Sequence, residues 1–142
     1  MFDVLIIGGG VSGVSCALIL GSAHVRPYAT DKKIGIFTHQ KASALQDARF
    51  NNAYGIAPGT LGKDLMESSL NHLSTLYPHV EQLPKEKVMK VEGEAGNFTV
   101  TTNKNTYQTK VLVVAVGSAG TFNIEGLMEY VIPHKKALPE KN

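Results

Sequence analysis

The sequence is poor in the residues that several protein classes require. Its 142 residues contain one cysteine and no tryptophan. A single cysteine, Cys16, excludes an internal disulfide and a Cys-x-x-Cys redox pair within this sequence. It also favours a reducing compartment, so a cytoplasmic location is expected. Charged residues make up 18% of the chain, the net charge is only +2, and no lysine or arginine run is present. Nucleic-acid binding is therefore not expected.

Membrane and metal signatures are also missing. No apolar run is long enough to span a bilayer, and the first three residues lack the basic region of a secretion signal. The chain has five histidines, but their spacing is not that of metal ligands. A hydrophobic content of 43% suits a single globular domain with its own core. We therefore expect no membrane insertion and no metal.

The beginning of the chain has the pattern of a strand, a glycine turn, a helix and a second strand. The run FDVLII, from Phe2 to Ile7, is apolar enough for a strand buried on both faces of a parallel sheet. A small apolar stretch from about Val11 to Leu20 predicts a helix. Arg26 to Thr30 is interpreted as a second strand that ends at Asp31. This order predicts a βαβ unit and an α/β, Rossmann-like fold.

The turn between the first strand and the helix reads Gly8-x-Gly10-x-x-Gly13. In this fingerprint Gly8 permits the tight turn, Gly10 leaves room for a pyrophosphate, and Gly13 lets the helix pack against the strand. The free N–H groups and the dipole of the helix would hold the phosphates. Asp31, at the end of the predicted second strand, would accept hydrogen bonds from the adenosine ribose and repel a 2′-phosphate, which argues against NADP. FAD and NAD remain equally compatible.

The rest of the chain extends this sheet. Residues 61–77 show helical spacing of leucines, and residues 79–83 predict a third parallel strand. Three short alternating segments within residues 87–110 predict a small antiparallel meander inserted into the parallel sheet. The apolar run VLVVAV, residues 111–116, predicts a return to the buried sheet.

The chain divides into a dinucleotide-binding domain and a tail. We assign residues 1–132 to the domain. Residues 133–142 are polar and rich in lysine and proline, which predicts a loose C-terminal tail.

The order and spacing of these motifs resemble the FAD domain of the thioredoxin reductase-like flavoproteins, in the pyridine nucleotide-disulfide oxidoreductase superfamily. The resemblance rests on FDVLIIGGGVSG, on Tyr54-Gly55-(x)6-Gly62-(x)2-Leu65 and on VLVVAVG. Two signatures depart from the family pattern. Asn52-Ala53-Tyr54-Gly55 replaces Asn-aromatic-Pro-Gly, and Ala115-Val116-Gly117 replaces Ala-Thr-Gly.

The resemblance implies FAD as the cofactor, with NAD as the alternative, and it implies a role for each matching residue. The implied cofactor-binding residues are Gly8, Gly9, Gly10, Val11, Ser12 and Gly13 at the pyrophosphate, Asp31 at the ribose, the backbone of Val88 at the adenine, Gly117 near the cofactor, and His39, Gln40 and Asn52 facing the flavin. Lys32, next to Asp31, is also expected to bind the cofactor.

Two functions remain open from the sequence. The first is a flavin-dependent oxidoreductase related to thioredoxin reductase, a minimal or truncated FAD domain without the family's NADPH domain and Cys-x-x-Cys. The second is a non-catalytic module that binds FAD, NAD or another adenine nucleotide. For the oxidoreductase, a homodimer or a partner chain is expected to complete the flavin site.

Overall fold

The computed structural model describes residues 1–39, 45–117 and 124–127 of the chain. Within these residues the helices are α1 (Val11–Ser22) and α2 (Gly62–Leu76), with a short 3₁₀ helix at Ala23–Val25. The strands are β1 (Phe2–Ile7), β2 (Ile34–Phe37), β3 (Arg49–Phe50), β4 (Thr60–Leu61), β5 (Val80–Leu83), β6 (Val88–Glu94), β7 (Asn97–Thr102) and β8 (Thr106–Val114).

Six of the strands form one mixed sheet in the order β5-β2-β1-β8-β7-β6. β5, β2, β1 and β8 are parallel, and β8, β7 and β6 continue as an antiparallel meander. β3 and β4 pair separately in a two-stranded sheet. The predicted α/β, Rossmann-like fold with a β-meander insertion is therefore confirmed. The domain boundary after residue 132, and the tail beyond it, lie outside the described residues and stay predictions.

The second strand of the βαβ unit does not lie where the sequence analysis put it. Arg26 to Thr30 form turns, in which the Ala29 N–H donates to the Arg26 carbonyl at 2.9 Å. Pro27 in this segment has no N–H to give to a sheet ladder. The strand is instead the short run Ile34–Phe37, every residue of which is buried. The prediction was wrong because the apolar run Ile34–Phe37 has only four residues, too few for a periodic pattern that would distinguish it from the irregular sequence around it.

The meander and the returning strand are one element. The sequence analysis separated a polar strand ending at Lys110 from an apolar strand beginning at Val111. No turn residue stands between them, and the structure has a single nine-residue strand, β8. Its first half pairs with β7 up to Thr109, and from Thr109 to Val114 it pairs with β1. β8 therefore joins the meander to the parallel sheet.

Hydrophobic side chains form one layer on each face of the sheet. Alternate residues of β1 point to opposite faces, so that Leu5 belongs to one cluster and Ile6 to the other, both fully buried. The Ile6 cluster includes the helix residues Ala17 and Leu73. The Leu5 cluster includes residues of the meander, among them Val100. The parallel strands thus have the helices on one face and side chains of the meander on the other, as expected for parallel strands buried on both sides.

Charged residues hold the amino edge of the sheet, the edge at which β1 and β2 begin. The carboxylate of Asp3 accepts hydrogen bonds from the Lys110 ammonium at 2.8 Å and from the backbone N–H of Lys33 at 2.9 Å. Lys32 lies 3.9 Å from the same carboxylate. The hydrogen bond from Lys110, followed by that from Lys33, lowers the pKa of Asp3. These contacts hold the beginning of β1 against its neighbours β2 and β8.

Candidate dinucleotide-binding site

A glycine turn connects β1 to α1 at the carboxyl edge of the sheet. Gly8 adopts a φ of +117°, in the region that side chains disfavour. The Gly8 N–H donates to the Phe37 carbonyl at 3.2 Å, and this bond ties the turn to the end of β2. The helix begins at Val11, with Gly10 as its N-cap in an extended conformation. The predicted strand–turn–helix geometry is therefore present.

Three glycines of the turn, Gly8, Gly9 and Gly13, are packed so closely that no larger residue fits. A Cβ on Gly13 would overlap the carbonyl oxygen of Gly8, and a Cβ on Gly8 would overlap that of Ala115. A Cβ on Gly9 would lie 2.8 Å from the Cα of Thr38. Gly13 thus allows α1 to approach β1 closely, as the fingerprint requires. Gly8 and Gly9 bring the turn against the ends of β8 and β2.

The amino terminus of α1 points its free N–H groups out of this turn. The N-cap residue Gly10 has no side chain that could accept a hydrogen bond, and the first turn contains no acidic residue. Val11 and Ser12 are exposed. The first N–H groups of a helix lack intrahelical partners and carry the positive end of its dipole. The turn from Gly8 to Gly13 and the amino terminus of α1 form a cradle that fits a pyrophosphate. The pyrophosphate would meet backbone N–H groups, and no carboxylate of the first helical turn would compete with it.

Thr38 and His39 occupy the position next to this cradle. They follow β2 directly, and the Thr38 N–H donates to the Leu83 carbonyl of β5 at 3.3 Å. In a dinucleotide-binding fold the residue at the end of the second strand lies beside the adenosine ribose. The sequence analysis placed His39 on the flavin side. The structure places it directly after Thr38 beyond the end of β2, with its side chain partly buried, and its role toward a cofactor stays a prediction.

Asp31 and Lys32 lie at the opposite edge of the sheet from the glycine turn. The register pairs Val4 with Ile34 and Ile7 with the last residue of β2, so residues before Ile34 lie near the beginning of β1. The ammonium of Lys32 forms an ion pair with the carboxylate of Asp3 there, at 3.9 Å. The prediction that Asp31 binds the ribose, with Lys32 also at the cofactor, depended on a second strand ending at Asp31, and the structure has β2 at Ile34–Phe37 instead. The structure does not bring either residue to the site.

The other predicted residues fall at varied distances from the turn. Gln40 lies outside the described residues. Asn52 is exposed in the loop between β3 and β4. Val88 is buried as the first residue of β6, opposite Thr102. Gly117 is exposed with a φ of +71°, and a Cβ there would contact nothing. Their roles toward a cofactor stay predictions.

A buried carboxylate lies just beyond the end of β5. Glu86 is 9% exposed and accepts hydrogen bonds from the Tyr107 hydroxyl at 2.6 Å, the Thr102 hydroxyl at 2.7 Å and the Asn105 amide at 2.9 Å. Burial by itself would raise the pKa of Glu86, but these hydrogen bonds outweigh it and lower the pKa. The network fixes the β5–β6 connection to the meander. Its neighbours Lys85 and Lys87 are exposed.

A cavity of about 330 Å³ meets the glycine turn on the helical side of the sheet. Gly9 and Gly10 form its wall at the turn. Its other walls are largely apolar, with Val14 from α1, Phe50 from β3 and Leu65 from α2. A ligand held at the turn would find a nonpolar surface on this side.

Other chemistry has little support in the described residues. Cys16 is partly buried within α1, and burial raises the pKa of its thiol, which disfavours a reactive thiolate. In the part of the chain that the structure describes, no three His, Cys, Asp or Glu side chains are grouped as a metal site would need. No described helix combines the length and apolar character needed to cross a membrane.

The fold and the glycine turn define a Rossmann-type dinucleotide-binding domain. The family model of the pyridine nucleotide-disulphide oxidoreductases matches residues 2–142. The chain belongs to this family, and the resemblance inferred from its motifs is confirmed. This is a family of FAD-binding flavoproteins, in agreement with the predicted cofactor.

Two curated relatives are longer than this chain. A ferredoxin–NADP reductase from Levilactobacillus brevis is 27% identical over 117 residues, which cover 82% of this chain and 34% of that protein. A ferredoxin–NADP reductase from Streptococcus mutans is 25% identical over 120 residues, with shares of 83% and 34%. The chain therefore spans about a third of the length of these curated relatives.

Solved structures show the same fold. An oxidoreductase from Agrobacterium tumefaciens superposes with a TM-score of 0.69 at 25% identity, over 90% of this chain and 41% of the other. A thioredoxin reductase from Gloeobacter violaceus superposes with a TM-score of 0.70 at 24% identity, over 84% of this chain and 35% of the other.

Sequence reasoning missed two contacts of the glycine turn. The Cα of Thr38 lies against Gly9, and the carbonyl oxygen of Ala115 lies against Gly8. The run Ile34–Phe37 was the signal that could have identified Thr38, because a short apolar run that ends in polar residues is typical of a buried parallel strand. For Ala115 the signal was its place at the end of another apolar run, where strand ends converge on the turn.

Proposed function

We propose that this chain binds FAD through the ADP half of the cofactor and serves as the FAD-binding domain of an oxidoreductase. The observation that carries the proposal is the glycine turn, whose packing accepts only glycine and whose helix terminus faces outward without a side-chain cap. Backbone N–H groups from Gly9 to Gly13 would hold the pyrophosphate. Thr38 would lie beside the adenosine ribose.

Any redox chemistry would belong to the cofactor. FAD supplies a flavin ring that accepts and releases hydride. This chain's residues would orient the cofactor through the turn and give it a nonpolar surface at the neighbouring cavity. The finer assignment is a thioredoxin reductase-like enzyme. It is supported by the glycine fingerprint in this sequence.

A non-catalytic nucleotide-binding module is the second candidate. It is favoured by the burial of Cys16 and its raised pKa, since the single thiol is poorly suited to redox exchange. Reduction of bound flavin by NADH or NADPH, followed at the visible flavin band, separates the two. Rapid reduction supports the oxidoreductase, and flavin that stays oxidised supports the module.

We also propose that another chain, a second copy in the first instance, completes the sheet at β8. Beyond Thr109, β8 pairs with β1 on one side, and no described strand lies on its other side. Val111 is 51% exposed and Val114 41% exposed, although the sequence predicts a buried strand. Unpaired apolar strand edges favour association. We further propose a cytoplasmic location, which the low cysteine content supports.

The proposal is tested by adding FAD to the purified chain and following flavin fluorescence and absorbance. Saturable binding that ADP competes away supports recognition through the ADP half. FAD binding that ADP leaves unchanged would contradict it, since the glycine turn would then not hold the cofactor.

A further inference from the structure

A continuous series of contacts joins the buried carboxylate of Glu86 to the glycine turn. Glu86 accepts a hydrogen bond from the Tyr107 hydroxyl at 2.6 Å. The Tyr107 ring packs edge to face against the ring of Phe37, with 5.6 Å between the ring centroids. The carbonyl of Phe37 in turn accepts a hydrogen bond from the Gly8 N–H at 3.2 Å. Direct contacts therefore lead from the carboxylate to the first glycine of the turn.

The ring of Tyr107 is held among buried aromatic side chains on the meander face of the sheet. It also meets the ring of Phe2 edge to face, with 6.0 Å between the centroids, in the geometry that aromatic pairs prefer. Phe2 is 3% and Phe37 is 2% exposed. Gly35 of β2 makes room for the Phe2 ring, since a Cβ there would lie 2.8 Å from it. In such close packing, a shift of the Tyr107 ring would displace Phe37.

The hydroxyl end of Tyr107 is anchored by Glu86. Burial, and then the hydrogen bond to Glu86, raise the pKa of Tyr107, so the hydroxyl stays protonated and donates. The carboxylate is itself held by the Thr102 hydroxyl at 2.7 Å and the Asn105 amide at 2.9 Å, both at the connection between β7 and β8. A buried polar network whose members are satisfied is rigid. This network therefore fixes one end of the Tyr107 ring relative to the meander.

The end of β2 sets the position of the glycine turn. Gly8, at a φ of +117°, is bonded to the Phe37 carbonyl. A Cβ on Gly9 would lie 2.8 Å from the Cα of Thr38, the residue after Phe37. Groups that bind a ligand must be held within about 0.5 Å of their productive geometry by the residues packed behind them. A displacement of Phe37 would therefore change how the turn presents its N–H groups.

We propose that Glu86 and Tyr107 are positioning residues of the nucleotide site. They hold the end of β2, and through it the glycine turn, in the conformation that binds a pyrophosphate. Both act through Phe37 rather than by contact with the nucleotide. The inference rests on the proposed function, because nucleotide binding at the turn is the property that the two residues support. It gives the buried carboxylate a role beyond the stability of the β5–β6 connection.

Tyr107→Phe tests the proposal, because it removes the hydroxyl and keeps the ring. The full chain, freed of any copurified nucleotide, is titrated calorimetrically with ADP, and deuterium exchange of the Gly8 amide is followed by NMR without nucleotide. We expect ADP to bind about two- to tenfold more weakly, within the range for residues that act through a packed network. The Gly8 amide should exchange faster by a similar factor, because local opening of the turn becomes easier. Glu86→Gln provides the same test if Tyr107→Phe does not fold.

Ile34→Val, at the other end of β2, is the matched control. Ile34 is 3% exposed, so the loss of one methyl group lowers the stability of the chain about as much as the loss of one hydrogen bond. The control should leave ADP affinity and Gly8 exchange unchanged. A merely structural role for Tyr107 would lower the urea midpoint in both variants and change ADP affinity and Gly8 exchange in neither.

Failure of this inference and failure of the proposed function are distinguishable. Wild-type ADP affinity and wild-type Gly8 exchange in Tyr107→Phe overturn the inference and leave the proposed function intact. Equal effects in Tyr107→Phe and Ile34→Val also overturn it, since they would follow from lost stability alone. If the wild-type chain does not bind ADP, the proposed function is overturned, and Gly8 exchange still decides whether the network holds the turn.

Discussion

Gly13 shows how one missing side chain shapes the site. Its position permits α1 to approach β1 so closely that a Cβ would overlap the Gly8 carbonyl oxygen. That approach places the helix terminus where its N–H groups can meet a phosphate. A methyl group therefore disturbs both the packing and the ligand site.

We predict that Gly13→Ala destabilises the chain by about 1–3 kcal/mol, as overpacking at such positions typically does. It should also weaken FAD at least tenfold. Urea unfolding and fluorescence titration measure the two effects. Ser68→Ala, at an exposed position of α2, is the control and should be nearly neutral. Unchanged stability and FAD affinity in Gly13→Ala would show that the turn is looser than described.

Glu86, like Asp3, is a residue through which stability should depend on pH. Its pKa in the folded chain lies below the usual value of 4.5. A group with a lowered folded pKa stabilises the protein above its unfolded pKa, and the contribution is lost as the pH falls through the folded value. We therefore expect the stability of the wild-type chain to decline below about pH 4.5.

Glu86→Gln tests this assignment. The substitution should cost about 1–3 kcal/mol at pH 7, because the donors of Tyr107, Thr102 and Asn105 lose a charged acceptor. It should also reduce the fall in stability below pH 4.5. Thermal unfolding between pH 3 and 7 measures both. Glu94→Gln, at an exposed position of β6, is the control. Equal pH profiles for wild type and Glu86→Gln would contradict the role of the network.

At the scale of elements, long periodic segments were predictable and short ones were not. β1, α1 and α2 follow from patterns of six or more residues. β2 has four residues, too few for a period to emerge, and Arg26 to Thr30 resembled a strand in composition. Only the pairing with β1 and β5 decides which segment enters the sheet. Because the predicted ribose contact depends on where β2 ends, this one error put that contact at Asp31, whereas β2 ends next to Thr38.

The helix α2 gives a test of packing at this scale. Leu73 and Leu76 both belonged to the apolar face predicted from sequence, but Leu73 is fully buried and Leu76 is 56% exposed. Leu73→Ala should cost about 2–5 kcal/mol, the range for a buried leucine. Leu76→Ala should cost less than about 0.5 kcal/mol, as at other surface positions. Similar losses in urea unfolding would contradict the docking of α2 through Leu73.

At the scale of the whole molecule, the sheet is asymmetric. One half is covered on both faces, whereas the edge of β8 beyond Thr109 presents exposed valines. The sequence predicted a buried strand there because six apolar residues in succession are typical of one. Composition cannot show whether the neighbouring strand comes from the same chain or from another.

We predict that the double substitution Val111→Lys and Val114→Lys reduces self-association, since charge on a strand edge opposes pairing. Sedimentation velocity over a concentration series measures the effect. Met89→Lys, an exposed position on β6, is the control. A wild-type chain that remains monomeric at every concentration would contradict the homodimer.

The central claim is that this chain is built to hold FAD. The most direct measurement is the absorbance spectrum of the chain purified without added cofactor, followed by identification of the nucleotide that heat releases and by titration with FAD. We predict flavin bands with release of FAD, or saturable uptake of added FAD by a colourless preparation. A chain that carries no flavin and takes up none would contradict the claim, and the glycine turn would then be a site for a different adenine nucleotide.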